Sequence, residues 1–381
     1  MEKNRREYQQ CTHCVMDTTD SKITFDEHGV CDHCRTYDED IKPNWHPDDE
    51  GRKELDKIVE KIKEDGKKHD FDCILGMSGG VDSSYLLYLA KEVLGLRPLV
   101  FHVDAGWNTQ LAVNNIQRLV DGLGLDLFTE VIDWEEMKDV QRAFFRSGVP
   151  QIDAPQDYCF FATMYKFASK YKVKYILTGG NYSTECVRNP LEWMYYQSDT
   201  RQLHDIHKKF GSMPLKRFPK TNILWHKIWL PYVKGIKLIR PLDYLPYNKQ
   251  AAMDLLADKY GWQPYPQKHF ESRFTRFYES YWLPERFGYD TRKVQFSSLI
   301  LTGQMTREQA LEELKKPDYD ANEIQHEFEY VADKLDMTVE ELQECFKLPK
   351  KTYHDYKNEE FIYDFGAWLM RLMGKERGGK R

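Results

Sequence analysis

The 381-residue sequence predicts an α/β chain: a parallel, doubly wound sheet with a small cysteine ribbon before it and a helical region after it. Three observations predict this. Short apolar runs at 71–77, 98–104, 127–132 and 174–178 alternate with helical patterns at 83–94, 109–123 and 158–171, the order that builds a parallel sheet covered on both faces. Two Cys-x2-Cys hooks precede the first run. From residue 248 onward the pattern is helical, with Thr306-x-x-Gln309 and Thr338-x-x-Glu341 reading as capping boxes.

The elements follow in order. Cys11, Cys14, Cys31 and Cys34 form two hooks separated by sixteen residues. Such hooks bring four thiolates to the corners of a tetrahedron, a set that suits structural Zn²⁺ and leaves no open catalytic position. The turn at 26–29 fits a small ribbon. Residues 38–70 are charged and helical in their second half. The helix at 109–123 carries Leu111, Ile116, Leu119 and Val120 at helical spacing. Residues 181–235 read as irregular, aromatic and basic, and 237–245 as a further strand. A final amphipathic helix is expected at 361–373. The expected domains are 1–40 (zinc ribbon), 41–245 (sheet domain, with 181–235 as a basic insertion) and 246–381 (helical).

Composition sets limits. Hydrophobic residues at 41% and charged residues at 30% describe a globular chain, and the net charge of −6 argues against nucleic acid as a general partner. The polar N-terminus and the lack of an apolar run near the ~18 residues of a membrane span lead to the expectation of a cytoplasmic protein without a membrane partner.

The stretch Ser78-Gly79-Gly80-Val81-Asp82-Ser83 follows the first strand and opens a helix. Glycines let the backbone approach a ligand closely, and a helix N-terminus favours an anion. Hydroxyls of Ser78 and Ser83 add donors. Asp82 beside such a cradle makes sense if Mg²⁺ lies between carboxylate and phosphates. No Gly-Lys-Ser/Thr follows, so this is not the longer lysine-bearing phosphate loop.

SGGxDS after a first strand resembles the PP-loop (pyrophosphate-loop) ATPases, of adenine nucleotide alpha hydrolase-like fold. The resemblance implies ATP as substrate, adenylation of a carbonyl-type oxygen, release of pyrophosphate, and displacement of AMP by nitrogen or sulfur. It implies ATP or pyrophosphate contacts from Ser78, Gly79, Gly80, Asp82 and Ser83, with Asp82 also on Mg²⁺ and in catalysis. It further implies contacts from Asp104 at the end of the second strand, and from Thr178 and Gly179 in Leu177-Thr178-Gly179-Gly180-Asn181. Arg240-Pro241-Leu242 is similar to a segment of the lysidine synthetase branch.

Sulfur chemistry requires reactive cysteines in the core. Cys159 has no Cys-x-x-Cys partner, Cys73 reads as core, and Cys186 is the one possible companion, so nitrogen is favoured. Between Arg201 and Arg240, ten Lys or Arg accompany one acid, Asp205, a local positive field that suits an anionic substrate or a solvated face. In 268–277 (KHFESRFTRF), Phe270, Phe274 and Phe277 form an apolar stripe. Arg273 and Arg276 could share another face and serve as catalytic phosphate clamps, or form surface ion pairs. Glu185 and Asp199 are further candidates for metal or proton handling.

CxxCVMDTT, GVCDHC, HVDAGWN and FTRFY…LPERFGYD, together with SGGVDSS, resemble the N-acetyl sugar amidotransferases (WbpG- and PseA-like) of surface-polysaccharide and nonulosonic-acid synthesis. The resemblance spans roughly residues 11–315. It implies conversion of an acetamido group on a nucleotide-activated sugar into an acetamidino group. Ammonia would come from a HisH-like glutaminase through a HisF-like subunit. The alternative expectation is a PP-loop tRNA thiolation or modification enzyme.

Overall fold

The structure, a computed structural model, describes residues 6–266 and 269–372, with the side chains of 226, 227, 370 and 371 outside that description. Lys268, Met373 and the side chains of His226 and Lys227, which enter the sequence reading, therefore lie outside the described residues.

Five strands form the sheet: β1 (Cys73–Gly76), β2 (Pro98–Asp104), β3 (Leu127–Val131), β4 (Tyr175–Leu177) and β5 (Lys237–Ile239). Their order is β3-β2-β1-β4-β5, all parallel. The strand side chains divide between two layers because successive residues point to opposite faces. Cys73, Leu75, Val100, Tyr175 and Leu177 pack with Leu55, Leu86, Leu119 and Leu256 from helices on one face. Ile74, Leu99, Phe101, Val103 and Ile176 pack with Val140, Phe144, Phe167 and Ile206 on the other. A sheet buried on both sides reads as near-continuous apolar runs, which is why β1, β2 and β4 were visible in the sequence.

The helices start where side chains satisfy their first free N–H groups. Thr109, Asp133, Asn248 and Ser272 each accept from the backbone N–H three residues on. Each such cap contributes about 1 kcal/mol. Both expected capping boxes form, at Thr306 with Gln309 and at Thr338 with Glu341.

Helices Trp134–Ser147 and Thr200–Phe210, among others, were not read from the sequence. They pack on one another, and Asp139 fastens them. Its buried carboxylate accepts from the Ser212 hydroxyl (2.5 Å), His207 Nε2 (2.8 Å) and the backbone N–H groups of Ser212 and Met213. Asp139 thereby helps to order the segment at 181–235, which also buries Trp193, Leu203, Ile206, Phe218 and Leu230. The sheet layer also continues past residue 245: helix Lys249–Tyr260 packs against Val81–Tyr88 and Gln110–Gly122.

Cys11, Cys14, Cys31 and Cys34 are fully buried. Their sulfurs lie 3.8 Å (Cys11–Cys34), 3.6 Å (Cys14–Cys31) and 3.6 Å (Cys31–Cys34) apart. A tetrahedron with metal–sulfur bonds of ~2.3 Å has edges of ~3.8 Å, so the four thiolates fit Zn²⁺. Backbone N–H groups of His13, Cys14 and Cys31 point at Cys11 Sγ, and that of Met16 at Cys14 Sγ, which stabilises thiolate charge. His33, also buried, is held by Asp20 at 2.9 Å. Arg307 clamps the ribbon to the C-terminal helices by donating to the carbonyls of Cys14 (3.0 Å) and Cys11 (2.9 Å).

Two outcomes follow from this packing. Burial alone would raise the Asp139 pKa, but its hydrogen bonds hold it down to about 2. Its stabilisation is therefore complete above about pH 4 and lost as pH falls toward 2. Asp139→Asn is expected to cost about 2 kcal/mol at pH 7, with the difference from wild type shrinking through that acid window in denaturant titrations. Cys31→Ser is expected to lower bound zinc well below one equivalent by elemental analysis, and a full equivalent in that variant would contradict the four-thiolate site.

Candidate functional site

The chain runs outward from β1 to β3 on one side, then returns to lay β4 and β5 on the other. At such a switch point the loops after adjacent strands diverge and leave a crevice beyond the strands' carboxyl ends. Here those loops are 78–83 after β1 and 178–180 after β4.

The first loop turns through Gly79, whose φ of +90° is costly for any side chain. A Cβ there would also meet the Ala112 backbone at 3.1 Å and Tyr265 Oη at 3.2 Å. The Gly79 carbonyl accepts from Trp262 Nε1 (3.1 Å) and from the Tyr265 hydroxyl (3.2 Å), fixing the turn from outside. Ser78 Oγ accepts from Gly80 N–H and lies 3.1 Å from Ser83 Oγ. The second loop presses on the first: a Cβ on Gly179 would come within 3.0 Å of the Asp82 carbonyl carbon and 3.1 Å of Ser83 N. Asp82 Oδ1 accepts from the Tyr247 hydroxyl at 2.6 Å. Burial and the Asp82 charge both push the Tyr247 pKa upward, so it stays a donor.

Two adjoining cavities open here. One, of about 390 Å³, is lined by Ser78, Gly80, Asp82, Ser83, Thr178 and Gly179, with Glu185 and Lys249 also in its wall. The other, of about 350 Å³, lies over the ends of β1 and β2. Its apolar wall includes Met77, Phe101, Phe160, Phe161 and Met164, and its polar wall includes Asp153, Asp157, Glu271 and Glu279. The two share Gly76, Ser78, Met164, His269 and Glu271. The first has the donors of an anion site, and the second has the size and apolar lining of a small-molecule pocket.

The acids are the main features that sequence reading missed. Asp153 accepts from the Thr275 hydroxyl at 2.7 Å, and Asp157 from Gln197 Nε2 at 2.6 Å. Burial, with Glu279 adding, raises Asp153 to about 6; burial and the Asp153 charge raise Asp157 well above the usual carboxylate range. Their i, i+4 spacing at a helix start was the available signal. Gln151 Nε2 and the Tyr278 hydroxyl, in residues of the same wall, are buried without a hydrogen-bond partner among the described residues, as in a site awaiting a ligand.

Glu271 stands over the loop: a Cβ on Gly80 would lie 2.9 Å from Glu271 Oε1. Asp82 and Glu271 thus place two carboxylates beside the anion cradle, an oxygen set that fits Mg²⁺ and repels bare phosphate.

The other expected site residues lie elsewhere. Asp104 is engaged by Gly106 N–H (2.8 Å) and Asn108 Nδ2 (3.1 Å) and lines neither cavity; His102 and Val103 of the same strand line the apolar one. Arg273 pairs with Glu327 at 3.0 Å and lies over the Tyr330 ring, and Arg276 pairs with Glu323 at 3.0 Å. Neither lines either cavity, because the Phe274 and Phe277 stripe is buried and turns the arginines toward helix Ile324–Lys334. Among the described residues, no lysine or arginine of 201–240 lines either cavity, and Lys249 is the lysine in the anion-site wall. Asp199 caps helix Thr200–Phe210.

Fold and site together describe an α/β chain with a nucleotide-type crevice at its switch point. Residues 271–370 match the LPS biosynthesis protein WbpG-like C-terminal domain, which bears out on that region the resemblance read from the sequence. An uncharacterized protein of Methanocaldococcus jannaschii is 22% identical over 319 residues, 81% of this chain and 94% of that protein. Among solved structures, the NH3-dependent NAD synthetase of Campylobacter jejuni aligns at 15% identity and TM-score 0.29, covering 57% of this chain and 99% of that one. NMN synthetase of Francisella tularensis aligns at 15% identity and TM-score 0.27, covering 58% and 91%. The matched C-terminal region supplies Glu271, Ser272, Thr275, Tyr278 and Glu279 to the apolar cavity's wall, so the crevice is completed by the WbpG-like segment.

Gly179→Ala tests the loop contact. The added methyl would push against the Asp82 and Ser83 backbone and the Asp82 Cβ, so the variant is expected to fold with weakened ATP binding, on the order of tenfold or more, in calorimetric titration. Unchanged affinity would mean that the two loops do not jointly form the nucleotide site.

Proposed function

We propose that this protein is an ATP-dependent amidotransferase that converts the acetamido group of a nucleotide-activated sugar into an acetamidino group. The observation that carries the reading is the SGGVDS cradle at the switch point, opening onto an apolar cavity whose wall comes from the WbpG-like segment. In this reading adenosine occupies the apolar cavity against Met77 and Phe101, and the two outer phosphates lie on Ser78, Gly80 and Ser83. Asp82 and Glu271 would hold Mg²⁺, which supplies charge neutralisation at the phosphates.

The acetamide oxygen attacks the α-phosphorus in line, forming an O–P bond as the bond to pyrophosphate breaks. Lys249 and the loop N–H groups balance the charge on the departing pyrophosphate. Ammonia then forms a C–N bond at the activated carbon, and AMP departs with the C–O electron pair. Holding the partners in line supplies most of the acceleration, with no covalent enzyme intermediate. The proposed setting is surface-polysaccharide (LPS O-antigen) or nonulosonic-acid synthesis. The proposed ammonia source is a partner glutaminase acting through an ammonia-delivering subunit.

The buried cysteines favour nitrogen over sulfur. Cys159 is fully buried and its thiol is pushed far above its ordinary range by burial. Cys186 is 6% exposed, raised to about 12 by burial, and directed at the Ser298 carbonyl. A sulfur-carrying cysteine must be an accessible thiolate. No helix among the described residues is long and apolar enough to cross a membrane.

The test is sugar-dependent ATP/pyrophosphate exchange, with mass spectrometry of candidate nucleotide sugars incubated with ATP, Mg²⁺ and an ammonium salt. The expected product is lighter by the difference between O and NH, and Asp82→Asn is expected to reduce exchange on the order of 100-fold. Products of ADP and orthophosphate would overturn the reading.

A further inference from the structure

Resting on the adenylation reading above, we propose that a third cavity beside the crevice seats the acceptor as a nucleoside-diphosphate sugar, with Arg188 and Arg240 on its two phosphates. This cavity measures about 320 Å³. It shares Glu185 and His269 with the cradle cavity, and His269 and Glu279 with the apolar one. With adenosine in the apolar cavity and the outer phosphates on the cradle, the α-phosphorus lies where those two spaces meet. His269 lines all three, so the third opens onto that meeting point. An acceptor seated there reaches the α-phosphorus without displacing any part of ATP. Gly180 keeps the way clear: a Cβ there would lie 3.6 Å from Glu185 Oε2 and 3.8 Å from Arg240 Nε.

The charges of the third cavity are sorted along it. Its acids, Glu185 and Glu279, are residues shared with the two ATP cavities, so they mark the crevice end. Its arginines, Arg188 and Arg240, line neither ATP cavity and mark the other end. Carboxylates accept from sugar hydroxyls, and guanidinium forks match phosphate oxygens. The acceptor is thereby oriented with its diphosphate outward and its acetamido group toward ATP.

Arg240 is held in place before any ligand binds. Its guanidinium lies over the Tyr182 ring, 4.6 Å from the centroid. Nε donates to the Gly180 carbonyl (3.1 Å) and lies 2.9 Å from Asp243 Oδ2, and Nη2 donates to Asp243 Oδ1 (3.3 Å). Nη1 has no partner among the described residues, which leaves donors for a phosphate. Arg188 is exposed, and its side chain makes no hydrogen bond or ion pair among the described residues. A lone arginine of that kind is ordinarily a solvated surface charge. Here it walls the same cavity as a fixed guanidinium, and two forks suit a diphosphate better than a single phosphate.

Room for the nucleoside follows directly. A further cavity of about 330 Å³ shares Thr184 and Gln295 with the third, and Phe296, Leu299 and Pro317 give it apolar walls. The Gln295 side-chain amide lines both spaces and has no partner among the described residues.

The experiment uses the full-length protein and two readouts: ATP/pyrophosphate exchange with a UDP-linked N-acetyl sugar varied, and calorimetric titration of UDP with ATP and Mg²⁺ present. Arg188→Ala is expected to raise the KM for the sugar about tenfold, and Arg188→Glu about 100-fold, since charge reversal adds repulsion to the lost contact. Arg240→Lys is expected to raise it about tenfold, because a point charge does not replace the fork. The effect is expected on the sugar's KM and on UDP affinity, and not on ATP affinity. A wild-type KM for the sugar in both Arg188 variants would overturn the proposal. So would an equal weakening of ATP, which would place the arginines on ATP itself. Absence of sugar-dependent exchange in the wild-type protein would overturn the adenylation reading. The UDP titration then decides the subsite separately: weaker binding in Arg188→Glu supports it, and equal or absent binding in wild type and variant overturns it.

Discussion

The approach of Gly179 to the backbone of Asp82 and Ser83 is the constraint on which the site depends. Two loops leaving adjacent parallel strands in opposite topological directions would ordinarily gape. A hydrogen in place of a side chain lets them close to 3.0–3.1 Å from where a Cβ would sit. That contact holds the N-terminus of helix Val81–Tyr88 beside the carboxyl end of β4. Trp262 and Tyr265 then donate to the Gly79 carbonyl from the far side and hold the turn of the anion cradle. Preorganisation of this kind is what makes donor groups effective against developing charge.

The regions outside the sheet serve this edge. The WbpG-like segment brings Glu271 over the cradle and Thr275, Tyr278 and Glu279 into the apolar cavity. The Thr109 N–H and hydroxyl both donate to the Glu271 carbonyl, which ties that segment to the helix start after β2. The ribbon does not reach the crevice. Arg307 binds it to the C-terminal helices, and Trp193 packs into its core, so its four thiolates act as a clasp between chain segments distant in sequence. Lys249 is the one lysine in the two cavity walls among the described residues; Arg217, Lys209 and Arg240 pair with Asp133, Asp205 and Asp243, and Arg240 also donates to the Gly180 carbonyl beside the crevice.

Much of the fold was legible because its signals are local. β2 was read at its observed bounds, and β1 and β4 within a few residues, since buried parallel strands are apolar throughout; β3, a half-exposed edge strand, was read within one residue. Thr306 and Thr338 announced their helices through short-range capping. Helix Trp134–Ser147 was not read although Met137, Val140 and Phe144 recur at helical spacing; its buried face also holds Glu136, Lys138, Asp139 and Gln141, whose partners lie 68 or more positions away in several cases.

The sequence by itself determined the groups whose geometry is set by neighbours along the chain: the glycine cradle between β1 and its helix, the two cysteine hooks, and the apolar strands. Only the tertiary structure decided which charged residues meet at the crevice. Arg273 and Arg276 look outward to Glu327 and Glu323, while Asp153, Glu271, His269 and Glu279 converge inward from segments more than a hundred residues apart. The physical reason is that a phosphate loop is built by backbone conformation, which a few adjacent residues fix. A polar cavity is built by packing, and packing chooses which face of each helix is buried only after the layers have assembled.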